Sequence, residues 1–213
     1  MRTSSAKGGA RRGRTITVTG AAFTALLLVS AGMVTVPGGD DPAIQVRDFY
    51  LLHGGVILGA QAAGLAAAAV FAMFARALSA TGSVPAVHPV RRSGYAVATA
   101  AALTALPVLA LCALAGGSSA ERIHALAVAS DWTDVLLFAV IAGFSATVAM
   151  ATARSSVRWV ALVTSGLCAA RALLLAFGAS ALELTAPLSF IVLVLTLSLM
   201  GLSGSLADES AVA

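Results

Sequence analysis

Charge is what this sequence lacks most. Only 10% of its 213 residues are Asp, Glu, Lys or Arg, while 59% are hydrophobic. Soluble domains carry about 25% charged residues, so too few are present to cover a surface facing water. Cysteine is scarce as well: Cys112 and Cys168 are the two in the chain, and both fall inside apolar runs. There a thiol behaves as a small hydrophobe. No disulfide framework, CxxC pair or metal-ligand spacing is present. Neither a metal nor another cofactor is therefore expected. The net charge of +4 reflects an uneven distribution along the chain, so no nucleic-acid partner is expected either.

What the chain does have is apolar runs of membrane length. Val135–Ala153 continues for 19 residues without a charge. At about 1.5 Å per residue, with its flanks, it crosses a hydrocarbon core of roughly 30 Å. Six such segments, at about 15–36, 48–75, 94–114, 131–153, 159–178 and 185–205, predict an all-α polytopic transmembrane bundle of six helices. A basic arm at 1–14, expected to be disordered, precedes them, and a short polar tail at 206–213 follows. The Arg11–Arg14 run invites a signal-peptide reading. The apolar run behind it is about 22 residues, longer than a signal h-region of about 7–15, and no A-x-A site ends it. An uncleaved anchor is the expectation.

Basic residues orient the bundle. Arg2, Lys7, Arg11, Arg12, Arg14, Arg76, Arg91, Arg92, Arg154 and Arg158 fall on one side, against Arg47 and Arg122 on the other. Both termini are then cytoplasmic. The acids run the other way, with Asp40, Asp41, Asp48, Glu121, Asp131, Asp134 and Glu183 outside.

Local signals add detail. Gly55 and Gly59 form a GxxxG continued by Ala63 and Ala67, a small-residue face suited to helix packing within the protomer. Pro107 predicts a bend in the third span. Ser118-x-x-Glu121 fits a capping box, and Ile123, Leu126 and Ala127 share a face, which predicts a short helix lying in the interface. Thr185 is a plausible N-cap, with Pro187 in the first turn.

Arg171 is the sharpest anomaly, placed about seven residues before the outer end of the fifth span. An arginine inside a span costs about 2.5–3.5 kcal/mol unless it is paired or snorkels. Two readings follow: it reaches the outer interface on its long stem, or it faces the bundle and meets an acid. Asp134 is the natural partner, and with Asp131 it forms an i, i+3 pair at the expected start of the fourth span. Acids there also suit the helix dipole. His53 lies at a comparable depth on the second span and can serve as acid, base or hydrogen-bond donor. Asp48, His53, Asp134, Arg171 and Glu183 thus form the expected ligand-binding set in the outer half of the bilayer. Asp134, Asp131 and His53 are the candidates for catalysis.

The basic arm, the outer loop before a long second span and the stretch AERIHALAVASDW (Ala120–Trp132) leading into the fourth span give a pattern with known company. It resembles small six-span bacterial membrane proteins grouped only as domains of unknown function. The resemblance covers nearly the whole chain by architecture, not by diagnostic residues. It implies a place in a bacterial cytoplasmic (inner) membrane and no activity. The Ala/Val/Arg-heavy composition is similar to that of a high-GC bacterium.

Three function classes follow. The first is a non-enzymatic ligand-binding or accessory subunit with an outward polar pocket. Its partners would be the lipid bilayer, a lipid-like small molecule, and a membrane protein or a second copy of the chain. The second is a membrane-embedded enzyme using acid and base on a lipid-like or terpenoid substrate. Integral-membrane terpene cyclases are similar in size, but their motif is not matched here. The third is a transporter or proton-coupled exporter. Against it, the inner halves of spans two, three, four and six are nearly free of charge.

Overall fold

The computed structural model describes residues 3–80, 87–179 and 181–202. It is all-α, with six helices: α1 (Thr3–Met33), α2 (Ala43–Ser79), α3 (Val87–Leu114), α4 (Ala120–Ala151), α5 (Ser155–Ala176) and α6 (Thr185–Leu202). Five of them, α1 to α5, are long and apolar enough to cross a membrane; the apolar part of α6, Thr185–Met200, is shorter. The chain is a multi-pass membrane protein. Each helix packs on its sequence neighbour, α6 closes back onto α1, and α2 also touches α4 across the middle.

Small residues and hydroxyls set the helix crossings, as expected where lipid offers no hydrophobic drive for association. Gly20 of α1 lies directly against Ser198 of α6, and Gly94 of α3 against Ala75 of α2. Thr17 Oγ1 donates to the Ser198 carbonyl at 2.9 Å, and Ser30 Oγ to the Ala60 carbonyl at 2.8 Å. Ser165 Oγ donates to Ala142 of α4 at 3.0 Å, and Thr164 Oγ1 to Ser189 of α6 at 3.1 Å. Inside, Phe23, Phe71, Phe74, Phe144 and Phe190 meet from α1, α2, α4 and α6, with Phe23 and Phe71 centroids 5.0 Å apart. Large apolar side chains such as Leu52, Met73, Met150 and Leu199 point outward, which is the polarity a bilayer selects.

Several local expectations change. The stretch after Ser118 is not a separate interfacial helix: α4 starts at Ala120 and runs unbroken to Ala151. Its first turns bury Ile123 and Ala127 against Val46, Tyr50 and Ile57 of α2 and Val108 and Leu111 of α3. That second, smaller core makes the helix continue. The capping box is not formed, because the N-cap is Ser119 and no side chain caps it. Likewise α2 begins at Ala43, ahead of Asp48, and α1 reaches back to Thr3 through residues expected as an arm. At about 1.5 Å per residue, the 37-residue α2 and 32-residue α4 measure roughly 55 and 48 Å, well beyond a 30 Å core.

Pro107 sits inside an unbroken α3. Gly55 faces open space, so it takes no part in packing. The close approach of α1 to α2 falls lower, at Gly59, Ala60 and Gly64, because α1 ends at Met33 beside Gly59. Thr185 opens α6 as its first residue, and Pro187 does lie in the first turn.

Candidate functional site

The 34–42, 115–119 and 177–184 connections lie at one end of the bundle, and two of them build a cavity with α4. Pro37-Gly38-Gly39-Asp40-Asp41-Pro42 is a tight turn. Asp41 Oδ2 accepts from the Gly38 N–H at 3.0 Å, and the Asp41 N–H donates to the Gly38 carbonyl at 3.3 Å. This turn lies flat on α4. The Gly39 N–H donates to Asp131 Oδ2 at 2.8 Å, and a Cβ at Gly39 would sit 2.7 Å from that oxygen and 3.1 Å from Val128 Cα. Only glycine permits so close an approach. Asp131 is therefore occupied in pinning a loop. It is also the twelfth residue of α4, not a first-turn acid, so the helix dipole gives no account of it.

The opposite wall is the end of α5. Gly178, with φ of 72°, closes the helix in a Schellman arrangement: its N–H donates to Leu175 at 3.0 Å and that of Ala179 to Leu174 at 2.8 Å. The chain then crosses over Arg171, whose Nη1 donates to the Ala179 and Ala181 carbonyls, both at 3.0 Å. These carbonyls belong to the loop beyond the end of α5, and a cation near that end also meets the negative end of the dipole. Arg171 is 7% exposed, so it does not snorkel. It does not pair with Asp134 either, since the one ion pair within 4.0 Å among the described residues is the exposed Arg47–Asp48 contact at 3.5 Å. A guanidinium has five N–H donors, and two loop carbonyls take what the sequence assigned to an acid.

Between these walls lies a cavity of about 520 Å³, lined by Asp134, Arg171 and Glu183 of the expected ligand set, by the catalytic candidate Asp131, and by Asp40 and Asp41 of the turn. Five carboxylates and one guanidinium give it a strongly negative field. Deeper in the bundle is a second cavity of about 280 Å³, lined by Phe23, Leu27, Phe71, Val97, Leu137, Phe138, Phe190 and neighbouring small residues. Asp134 is the one charged residue in its wall, and it belongs to both cavities. It lines a polar chamber and an apolar one at once. No hydrogen bond or ion pair holds its carboxylate among the described residues.

The other two expected residues stand apart. Asp48 pairs with its neighbour Arg47, and His53 Nδ1 donates to the Phe49 carbonyl at 3.1 Å while its ring stacks on Phe49 at 4.5 Å. Both line a separate shallow recess on α2 with Pro42 and Leu52. Matching depth along two helices did not place them together: the recess they line shares no residue with the acid-lined cavity. The residues that the sequence did not single out are Gly39, Asp40, Asp41 and the phenylalanine cluster. A Gly-Gly pair between a proline and two acids was a readable sign of close backbone approach. Among the described residues, no three of His, Cys, Asp and Glu converge as metal ligands would.

Chemically, the arrangement offers a negative mouth, one unengaged carboxylate at the junction and an apolar floor. Beside Asp134, the other titratable groups among the described lining residues are four carboxylates and the Arg171 guanidinium, with no histidine. Comparison with known protein families, characterised proteins and solved structures returned no match.

Proposed function

We propose that this chain is a six-span protein of a bacterial cytoplasmic membrane, with both termini in the cytoplasm, that binds an amphiphilic small molecule from the outer side. On this reading it holds its ligand without transforming it, as a binding protein or as the ligand-sensing subunit of a larger assembly. The observation that carries the reading is Asp134, shared by a polar chamber and an apolar one. A pocket that is mostly apolar with a few placed polar groups is the usual form of a small-molecule site. Acid/base catalysis is favoured by two groups of different basicity, whereas the acid/base groups beside Asp134 are further carboxylates and His53 lies in another recess. A transport path would have to continue past the inner chamber, where Phe71, Phe144 and Phe190 are packed together.

The test is native mass spectrometry of the protein released gently from its own membrane. A bound small molecule is expected, and it should be lost in Ala101→Phe, which fills the inner chamber from its wall. A stoichiometric protein partner with no small molecule in either form would overturn the ligand reading in favour of a purely structural subunit.

A further inference from the structure

The two chambers also constrain what the ligand is, an inference that rests on the binding role proposed above. Three observations set its chemistry. First, the polar chamber holds five carboxylates against one guanidinium, and among the described residues Asp134 has no ion-pair partner within 4.0 Å. Second, Arg171 is 7% exposed, lines the same chamber and leaves its Nε–H without a partner among the described residues, although Nη1 is satisfied. A buried donor of this kind calls for an acceptor, since leaving it unmade forfeits its hydration. Third, the acids are spread around the chamber and do not converge as metal ligands would. A compact metal ion is therefore a poor occupant, and an extended organic group is a good one.

The inner chamber sets the tail. At about 280 Å³ it holds on the order of ten methylene-sized groups, taking each as about the ~30 Å³ share of a water molecule. That admits one short chain or a small ring system and excludes the paired acyl chains of a membrane phospholipid.

We propose that the ligand is a small single-tailed amine. Its protonated nitrogen lies against Asp134, an ether, ester or hydroxyl oxygen beside that nitrogen accepts from Arg171 Nε–H, and its tail lies among Phe23, Phe71, Phe138 and Phe190. An anionic head meets five carboxylates against a single guanidinium. A neutral head keeps the tail contact but gains nothing from Asp134. The ammonium gains both, because an opposite charge in a poorly hydrated site replaces the water it gave up.

The experiment uses the full chain in a non-ionic detergent and three probes with one tail: decylamine, decanol and decanoate. Binding is read by native mass spectrometry at several probe concentrations. Decylamine is expected to bind at least tenfold more tightly than decanol, with no decanoate retained. Asp134→Asn should bring decylamine down to the decanol level and leave decanol unchanged, and Ala101→Phe should abolish both. Should Asp134→Asn fail to give monodisperse protein, Glu183→Gln at the exposed rim serves instead, with a loss of about threefold expected for decylamine alone. Equal binding of decylamine and decanol, or a preference for decanoate, would overturn the amine while leaving the two-chamber site. Failure of every probe to bind would overturn the site itself.

Discussion

Arg171 is held by carbonyls and not by a carboxylate, which changes what its removal should do. In Arg171→Leu, the half-buried Ala179 and exposed Ala181 carbonyls lose their donor, and a typical net hydrogen bond is worth about 0.5–1.5 kcal/mol. If Arg171 were the partner of Asp134, deleting both charges would restore much of that loss. The geometry predicts otherwise: Asp134→Asn should not restore the stability that Arg171→Leu loses, because the two loop carbonyls stay without their donor. Thermal unfolding of the four proteins in detergent measures it, and a double variant as stable as wild type would re-establish an ion pair. Gly39 makes a second test. A methyl group there meets Asp131 Oδ2 and the α4 backbone at Val128, so Gly39→Ala should lower stability by about 1–3 kcal/mol. Gly143→Ala, on an open face of α4, should instead be neutral or gain up to about 1 kcal/mol from helix propensity.

Helices were legible in this sequence wherever the bilayer dictates them, and illegible where tertiary packing does. The apolar middles of α2, α4 and α5 follow from hydropathy alone, because a run of that length in a chain so poor in charge has few other uses. Their ends do not. The first turns of α2 and α4 are stabilised by Tyr50, Ile57 and Leu111 meeting Ile123, and neither helix start has a side-chain cap for a motif search to find. Helix rotation was the second blind point. In α2, apolar residues point both inward (Ile57, Phe71, Phe74) and outward (Leu51, Leu52, Val56, Leu58), so periodicity could not say that His53 and Asp134 line different recesses. Depth along a helix was readable, and it put Arg171, Asp134 and Glu183 on one cavity. Azimuth was not. Element packing makes its own prediction at the α1–α6 crossing that closes the ring. Gly20→Ala drives a methyl group into Ser198 and should weaken the α1–α6 contact, lowering the unfolding temperature. Ser198→Gly should recover most of the loss in the double variant, whereas Gly32→Ala, in open space on the same helix, needs no such compensation.

At the scale of the molecule, charge and cavity bear on each other. The acid-lined chamber opens among the 34–42 and 177–184 connections, at the end of the bundle opposite Arg76, Arg91, Arg154 and Arg158. Basic residues near short loops stay on the cytoplasmic side of a bacterial membrane, so the proposed orientation turns the chamber outward. Any ligand then arrives from outside, and negative charge at the mouth raises the local concentration of cations there. Reporter fusions decide the matter. Alkaline phosphatase, active only after export, should be active when joined after Gly117 in the 115–119 connection and inactive after Ala213. A fluorescent protein that matures only in the cytoplasm should give the inverse result. Adding arginines beside Gly117 and neutralising Arg91 and Arg92 should shift the population toward the opposite topology, because the bias is carried by those few side chains. Activity of the phosphatase at Ala213 would reverse the orientation, and the chamber would then draw its ligand from the cytoplasm.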